Sequence, residues 1–339
     1  MVLAAGYGER LRPLTHFVPK PLLPICGEPV VGHTLRQLGK VGCEAVAVNL
    51  HHLPEAIGRF LGRRYFGLPI TYSPEHEIQG TLGALYPQRE LLARADAVLV
   101  VNGDTLCRWP FRRLIRRHLR SGADVTLLLY QREPDASLGG GVGLGAGGRV
   151  VALRDSQPIA KVVKRLVFAG AHVLSPRILK RIQEGPADII DDLYIPLLQG
   201  GGRIQALVSS APWHDLGTPE RYLEANLDWV CGRWPLRRRL SKISPLAEIA
   251  ETAIVRHSVI EEGAVVGEDA RIEGSVLLSG AQVVAGSRIA NSIVGPGARL
   301  TASASIEGRM INRVRIGHQP SPQESVMGEL IFTPLGQGY

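Results

Sequence analysis

The sequence predicts an α/β domain on a mainly parallel sheet, followed by a left-handed parallel β-helix. Three observations lead there. Short apolar runs alternate with amphipathic stretches over residues 1–231, the pattern of strands and helices stacked in layers. From Ala253 the period becomes six, with Ile254, Ile260, Val266, Ile272, Leu278 and Val284 at strict intervals. Small residues (Ser258, Ala264, Ala270) recur four positions after an aliphatic one, as the tight corners of such a solenoid require.

In chain order, Val2-Leu3-Ala4 reads as a first strand with almost no lead-in. Central strands ordinarily run about five or six residues, so a few native residues upstream are expected to be missing. Residues 45–50, 97–101, 125–129 and 171–174 are aliphatic enough to be buried strands. Residues 30–41, 54–61, 111–120, 176–182 and 189–198 read as helices. Residues 232–252, with Trp234-Pro235, an arginine cluster at 237–239 and Pro245, read as a connector. Residues 253–318 form the β-helix, its register slipping near Ala290 and resuming through Ile293, Ala298 and Ile306. The tail, 319–339, has no clear period; it caps the solenoid or docks on the first domain, and both readings stay open.

Composition excludes several classes. With 45% hydrophobic and 21% charged residues over 339 positions, two ordinary domains with sizeable cores fit and bulk disorder does not. No apolar run is long enough for a membrane span, and the amino end does not resemble a signal peptide. Cys26, Cys43, Cys107 and Cys231 show no CxxC spacing, so neither a zinc cage nor a disulfide framework is indicated. A cytoplasmic location is expected. The net charge of +8 is mostly arginine, in runs at Arg112-Arg113, Arg116-Arg117 and 237–239. These read as solvated helix faces. No aromatic-interleaved motif accompanies them, so a nucleic-acid partner is not expected, while a positive field suits phosphorylated small molecules.

The chemistry concentrates in Leu3-Ala4-Ala5-Gly6-Tyr7-Gly8-Glu9-Arg10. A glycine loop directly after a buried strand lets backbone N–H groups approach phosphate oxygens. No Gly-Lys-Ser/Thr follows, so it is no Walker loop, and the third glycine of a dinucleotide fingerprint is absent. Arg10 can fork two phosphate oxygens, and Lys20 can act as a mobile point charge.

With Leu11-Arg12-Pro13-Leu14-Thr15 and Pro19-Lys20-Pro21-Leu22-Leu23-Pro24, this segment resembles the signature LAAGxGxRLxPLT…PKPLLP of the sugar-1-phosphate nucleotidyltransferases, or NDP-sugar pyrophosphorylases. Four further segments fit the same family in order. Gln79-Gly80-Thr81-Leu82-Gly83-Ala84-Leu85 looks like its base-facing loop, and Asn102-Gly103-Asp104 like its metal-binding strand end. Phe168-Ala169-Gly170 resembles the strand beside the sugar, and Asp215-Leu216-Gly217-Thr218-Pro219-Glu220 the second metal motif. The resemblance covers about residues 1–230, and a hexapeptide solenoid is a common carboxy-terminal partner there.

That resemblance implies a Rossmann-like nucleotide-diphospho-sugar transferase fold and a Mg²⁺-dependent enzyme. Its substrates would be an NTP and a sugar 1-phosphate, its products an NDP-sugar and pyrophosphate. Arg10, Lys20 and Asp104 would be catalytic, with Asp104 and Asp215 holding Mg²⁺. Leu3, Ala4, Ala5, Gly6, Gly8, Gln79, Gly80, Thr81 and Gly83 would bind the nucleotide. Gly141, Asp155, Lys161, Lys164 and Gly170 would bind the sugar phosphate. Two departures stand out: the family's Glu-Lys-Pro is here Arg154-Asp155-Ser156-Gln157-Pro158, and Phe168 replaces the usual Asn. The Phe-x-Gly form is similar to the mannose-1-phosphate guanylyltransferase-like and muramyl-phosphate uridylyltransferase-like branches, and the first suggests GTP with mannose 1-phosphate or a related hexose or heptose 1-phosphate. A UTP- or dTTP-using enzyme and a non-catalytic regulatory subunit of the same architecture are the alternatives. A homo-oligomer formed through the β-helix or the first domain is expected.

Overall fold

The computed structural model describes residues 1–134, 140–231 and 241–336. The chain falls into two compact units, one of Met1–Tyr7 with Val31–Trp213 and the other of Gly8–Val30 with His214–Tyr339. Residues 8–30 hold only short 3₁₀ turns and a two-stranded hairpin, and Leu11, Leu14, Leu23 and Ile25 are buried.

The first unit is built on a sheet whose central strands are parallel. Val98–Asn102, Val2–Leu3, Val46–Leu50 and Leu68–Pro74 lie side by side in that order. All five residues of Val46–Leu50 are buried, as a doubly covered strand should be. Val2–Leu3 is only two residues long but is paired on both edges. Lys164–Leu174 runs antiparallel beside Val98–Asn102 and continues the sheet to Val125–Tyr130, which pairs in parallel with Ile204–Ser209. This eleven-residue strand is longer than the apolar run 171–174 suggests, because its first half carries charged residues at the sheet margin. Its register shifts between Phe168 and His172, a bulge at which Gly170 takes φ +84°.

Helices form at Val30–Gly39, Pro54–Leu61 and Phe111–Ser121. Arg112, Arg113, Arg116 and Arg117 all lie on the exposed face of the last, the solvated face expected of that run. The second run, 237–239, lies outside the described residues. Residues 176–181 form a 3₁₀ helix, and 189–198 begin as a π turn, Ile189–Tyr194, before the α-helix Ile195–Gln199. Pro196 has no N–H to close the α ladder onto the preceding turn, and the ladder changes register there.

In the second unit, three parallel sheets wind into a β-helix. Its first strands, Lys242–Ile243 and Glu248–Ile249, fall inside the stretch read as a connector. The coil advances by 17 residues: Val259 pairs with Val276, Val276 with Ile293, and Ile293 with Met310, and serine bonds between coils span the same 17. Inward side chains are Ile260, Val266 and Ile272, then Leu277, Val283 and Ile289, then Val294 and Leu300. The comb of six is thus correct within a coil and slips by one at each coil. Ile254 is 38% exposed, and Val283 rather than Val284 enters the core. The short corner is turned by His257, Gly274, Asn291 and Gly308, one per coil, all with positive φ. The tail folds back as a hairpin, Ser325–Met327 with Leu330–Pro334, antiparallel on Arg309–Arg313, so it caps that solenoid sheet. Among the described residues no helix is long and apolar enough to cross a membrane.

Candidate active site

In the first unit the site residues gather at the carboxyl ends of the parallel strands, where open α/β sheets bind ligands. Leu3 is the register partner of Asn49. Past the strand end, the Ala4 N–H donates to Asn49 Oδ1 at 2.8 Å. Ala5 is buried behind the exposed Gly6 and Tyr7. Asp104 stands half-buried in the turn between Val98–Asn102 and Thr105–Cys107. The preceding Gly103 is obligatory, since a β-carbon there would lie 2.9 Å from Val2 Cγ1.

Gly80 and Gly83 owe their identity to close backbone packing. Added β-carbons would lie 2.4 Å from the Ala187 carbonyl oxygen and 2.3 Å from that of Gly185. The Leu82 and Gly83 N–H groups both donate to the Ala187 oxygen. Thr81 Oγ1 donates to Asp188 Oδ2 at 3.2 Å and accepts from the Ile189 N–H at 2.8 Å. These glycines therefore dock the loop onto residues 185–189. Gln79 N–H donates to Glu75 Oε2 at 2.9 Å.

On the sugar side, Trp213 Nε1 donates to the Ala169 oxygen at 2.9 Å, and the Trp213 ring stacks on Tyr130. That holds the bulge at Phe168–Gly170. A β-carbon on Gly170 would lie 2.9 Å from Asn102 Nδ2, so glycine is needed beside the strand end that leads to Asp104. Gly141 and Asp155 share another corner: the Arg154 N–H donates to the Gly141 oxygen at 2.9 Å, and Asp155 is exposed. Lys161 and Lys164 are both exposed where the long strand begins. Lys164 is six residues from Gly170, roughly 20 Å along an extended strand. Arg154 is engaged instead with Asp188, at 3.1 Å, and Asp191. Burial alone would raise the Asp188 carboxyl. Hydrogen bonds from the Asp191 and Ile190 N–H groups, with the Arg154 charge, outweigh it and hold the group below the usual carboxylate range.

In the second unit, Lys20 and Arg221 face Asp215, and Arg10 packs beside Gly217. Lys20, buried, places Nζ 3.9 Å from Asp215 Oδ1, and Arg221 donates to Oδ2 at 2.8 Å. Gly217 makes room for Arg10: a β-carbon would lie 2.8 Å from an Arg10 guanidinium nitrogen and 3.0 Å from Asp215 Oδ2. Gly8 takes φ +64°, and its carbonyl accepts from Thr15 Oγ1 at 2.9 Å, which closes the loop around Lys20. Arg10, Lys20 and Asp215 were visible as motif residues. Arg221 was not, because its partner becomes apparent only when the Pro219–Cys231 helix sets it beside Asp215. Its only sequence signal is its place in the first turn of a helix that follows the acidic motif.

A carboxylate such as Asp104 or Asp215 is the kind of ligand Mg²⁺ takes, beside several waters or phosphate oxygens. Asp104 and Asp215 each present a carboxylate, and Asp215 Oδ1 is not within hydrogen-bond distance of Lys20. Among the described residues no group of three or more His, Cys, Asp or Glu comes together as an all-protein cage.

Residues 1–230 match the family described as Nucleotidyl transferase, and residues 240–331 match the GMPPB C-terminal domain. The chain is similar to the mannose-1-phosphate guanylyltransferase catalytic subunit beta of Danio rerio, 31% identical over 226 residues, covering 66% of this chain and 62% of that one. The corresponding subunit of Dictyostelium discoideum is 28% identical over 225 residues, with the same coverages. The chain thus spans 62% of the length of these curated relatives. Two solved structures share the fold at a TM-score of 0.56: HddC from Yersinia pseudotuberculosis, and a putative glucose-1-phosphate thymidylyltransferase from Bacillus anthracis. The first is 23% identical and covers 67% of this chain and 97% of that one; the second is 21% identical and covers 66% and 92%. With the glycine loop, the strand-end Asp104 and Asp215 all within the matched span, the chain belongs to the nucleotidyl transferase family.

Proposed function

We propose that this chain transfers a nucleotidyl group from an NTP to a sugar 1-phosphate, with GTP and mannose 1-phosphate as the preferred pair. The observation that carries this is the placement of Lys20 beside Asp215 and of Arg10 against the neighbouring Gly217, a glycine that admits nothing larger. A phosphate oxygen of the sugar 1-phosphate attacks the α-phosphorus, one P–O bond forms, and the α–β bridge bond breaks. Its electron pair leaves with pyrophosphate. The nucleophile is already ionised, so no general base is needed, and catalysis is positioning plus charge neutralisation. Arg10 and Lys20 hold the triphosphate, Lys20 facing the α-phosphoryl as charge develops. Leu3, Ala4, Ala5, Gly6, Gly8 and the Gln79–Gly83 loop hold phosphates and base, and Gly170 borders the sugar. Asp104 and Asp215 are the carboxylates assigned to Mg²⁺, which when bound supplies charge neutralisation at the phosphate oxygens. Homo-oligomeric assembly and a cytoplasmic location belong to the same reading.

The test is pyrophosphate release over a grid of GTP, ATP, UTP, CTP and dTTP against mannose, glucose, N-acetylglucosamine and heptose 1-phosphates, with Mg²⁺. GTP with mannose 1-phosphate well above the rest supports the full reading. A different pair on top corrects the substrates and keeps the reaction. Nucleotide binding with no turnover favours the regulatory-subunit alternative.

A further inference from the structure

We propose that Asn49 and Glu75 are positioning residues that tie the entrance of the glycine loop to the base-facing loop, so that the nucleotide meets one rigid cradle. The proposal rests on the nucleotidyltransferase reading above. Asn49 is the polar residue of an otherwise aliphatic strand, Val46–Leu50, and is 3% exposed. Such a residue persists in a core only when its polar atoms are satisfied. Its Oδ1 accepts from the Ala4 N–H at 2.8 Å, and its Nδ2 donates to Glu75 Oε1 at 2.8 Å. Glu75 Oε2 then accepts from the Gln79 N–H at 2.9 Å. Three hydrogen bonds thus run from residue 4 to residue 79 through two side chains.

A second tie runs in parallel. His51 Nδ1 lies 2.9 Å from the Glu75 carbonyl oxygen, which can only accept, so that nitrogen carries the proton. His51 Nε2 is then the acceptor for the Tyr7 O–H at 2.8 Å, and the two rings meet edge to face. Glu75 is thereby joined to both ends of the segment 4–7, through Asn49 by its side chain and through His51 by its main chain. A carboxylate beside a polyphosphate would ordinarily weaken binding. Here both its oxygens are occupied by N–H donors, so its charge orders the loops.

The 49–75 pair permits a polarity swap. Asn49→Asp alone removes the donor to Glu75 and sets two carboxylates face to face. Glu75→Gln alone leaves an amide that can accept from only one of its two donors. In the double variant, the carboxylate introduced at position 49 still accepts from the Ala4 N–H. The amide introduced at position 75 donates to that carboxylate, and the amide oxygen accepts from the Gln79 N–H. Every bond is restored with one reversed.

The experiment measures KM for GTP, kcat, selectivity between GTP and UTP, and amide hydrogen exchange at residues 4–7 and 77–81 in the full chain. Each single variant is expected to raise KM for GTP by about tenfold or more, the size of one lost hydrogen bond to a charged group. Selectivity should narrow, kcat should change less than KM, and exchange should rise in both segments together. The double variant should return KM and exchange to within about threefold of the original chain. Unchanged KM and exchange in the single variants, or a double variant no better than either, overturns the proposal. Exchange reads the tie without turnover. If it behaves as expected while the unmodified chain neither binds nor turns over any NTP, the functional reading fails and the tie stands.

Discussion

At Gly217 a single β-carbon separates a working arrangement from a broken one. It would stand 2.8 Å from the Arg10 guanidinium and 3.0 Å from Asp215 Oδ2, so one of them must move. Gly217→Ala is expected to lower kcat/KM by about tenfold or more while the melting temperature stays within a few degrees, because only polar side chains are displaced. A near-normal kcat/KM would show that the Arg10–Asp215 geometry does not matter to the reaction. Asp104→Asn keeps the shape of a half-buried turn residue and removes its charge. Turnover should fall by about a hundredfold or more with circular dichroism unchanged, and retained activity would remove Asp104 from the metal site. Residues of this kind were legible in the sequence because the chemistry constrains neighbours along the chain: Gly8, Arg10 and Lys20 lie within one short segment. Arg221, Asn49 and Glu75 were not legible. Asn49 finds its partners 45 and 26 residues away, Arg221 meets Asp215 only once the intervening turn and helix have formed, and a lone Asn or Glu near a strand end carries no period or spacing to mark it.

Among the elements, the solenoid shows both what a repeat reveals and where it misleads. The six-residue comb announced the β-helix, and Ser258, Ala264 and Ala270 are fully buried as expected. A comb of six cannot show that one face is a residue short. The serines could: Ser241, Ser258, Ser275 and Ser292 recur every 17 residues, and each of the last three takes an N–H bond from its own amide to the hydroxyl one coil earlier. Ser275 Oγ also donates to the Glu273 oxygen at 2.7 Å. Ser275→Val leaves the buried Ser292 N–H without its acceptor, a cost of about 1–3 kcal/mol. A melting temperature lowered by several degrees is expected, and an unchanged one would show that the ladder does not stabilise the coil. The mixed character of the first sheet was hidden for a different reason. Direction is not encoded in an apolar run, and the charged half of Lys164–Leu174 has no strand signature.

For the whole molecule, two buried histidines set an acid limit. Burial lowers the His118 pKa to about 4, helped by the Arg177 charge, and burial lowers that of His172 to about 3. Unfolded histidines titrate near 6.5. Between about 6.5 and 4 the unfolded chain binds more protons, so the stability these groups contribute is present above that window and is lost as pH falls through it. Each contributes a slope of up to about 1.4 kcal/mol per pH unit. Thermal melts at pH 7.5, 5.5 and 4.5 should show a falling midpoint, and His172→Phe, which retains the stack on Phe168, should make the fall shallower. A midpoint flat across this range would contradict the assignment.

Breakage of the α–β phosphate bond, and of no other, is visible by ³¹P NMR of the full chain with GTP, mannose 1-phosphate and Mg²⁺. Diphosphate diester and pyrophosphate signals are expected to grow in equal amounts, and neither to appear when the metal is chelated. Orthophosphate release, or an unchanged spectrum with every NTP and sugar 1-phosphate tried, would contradict that cleavage.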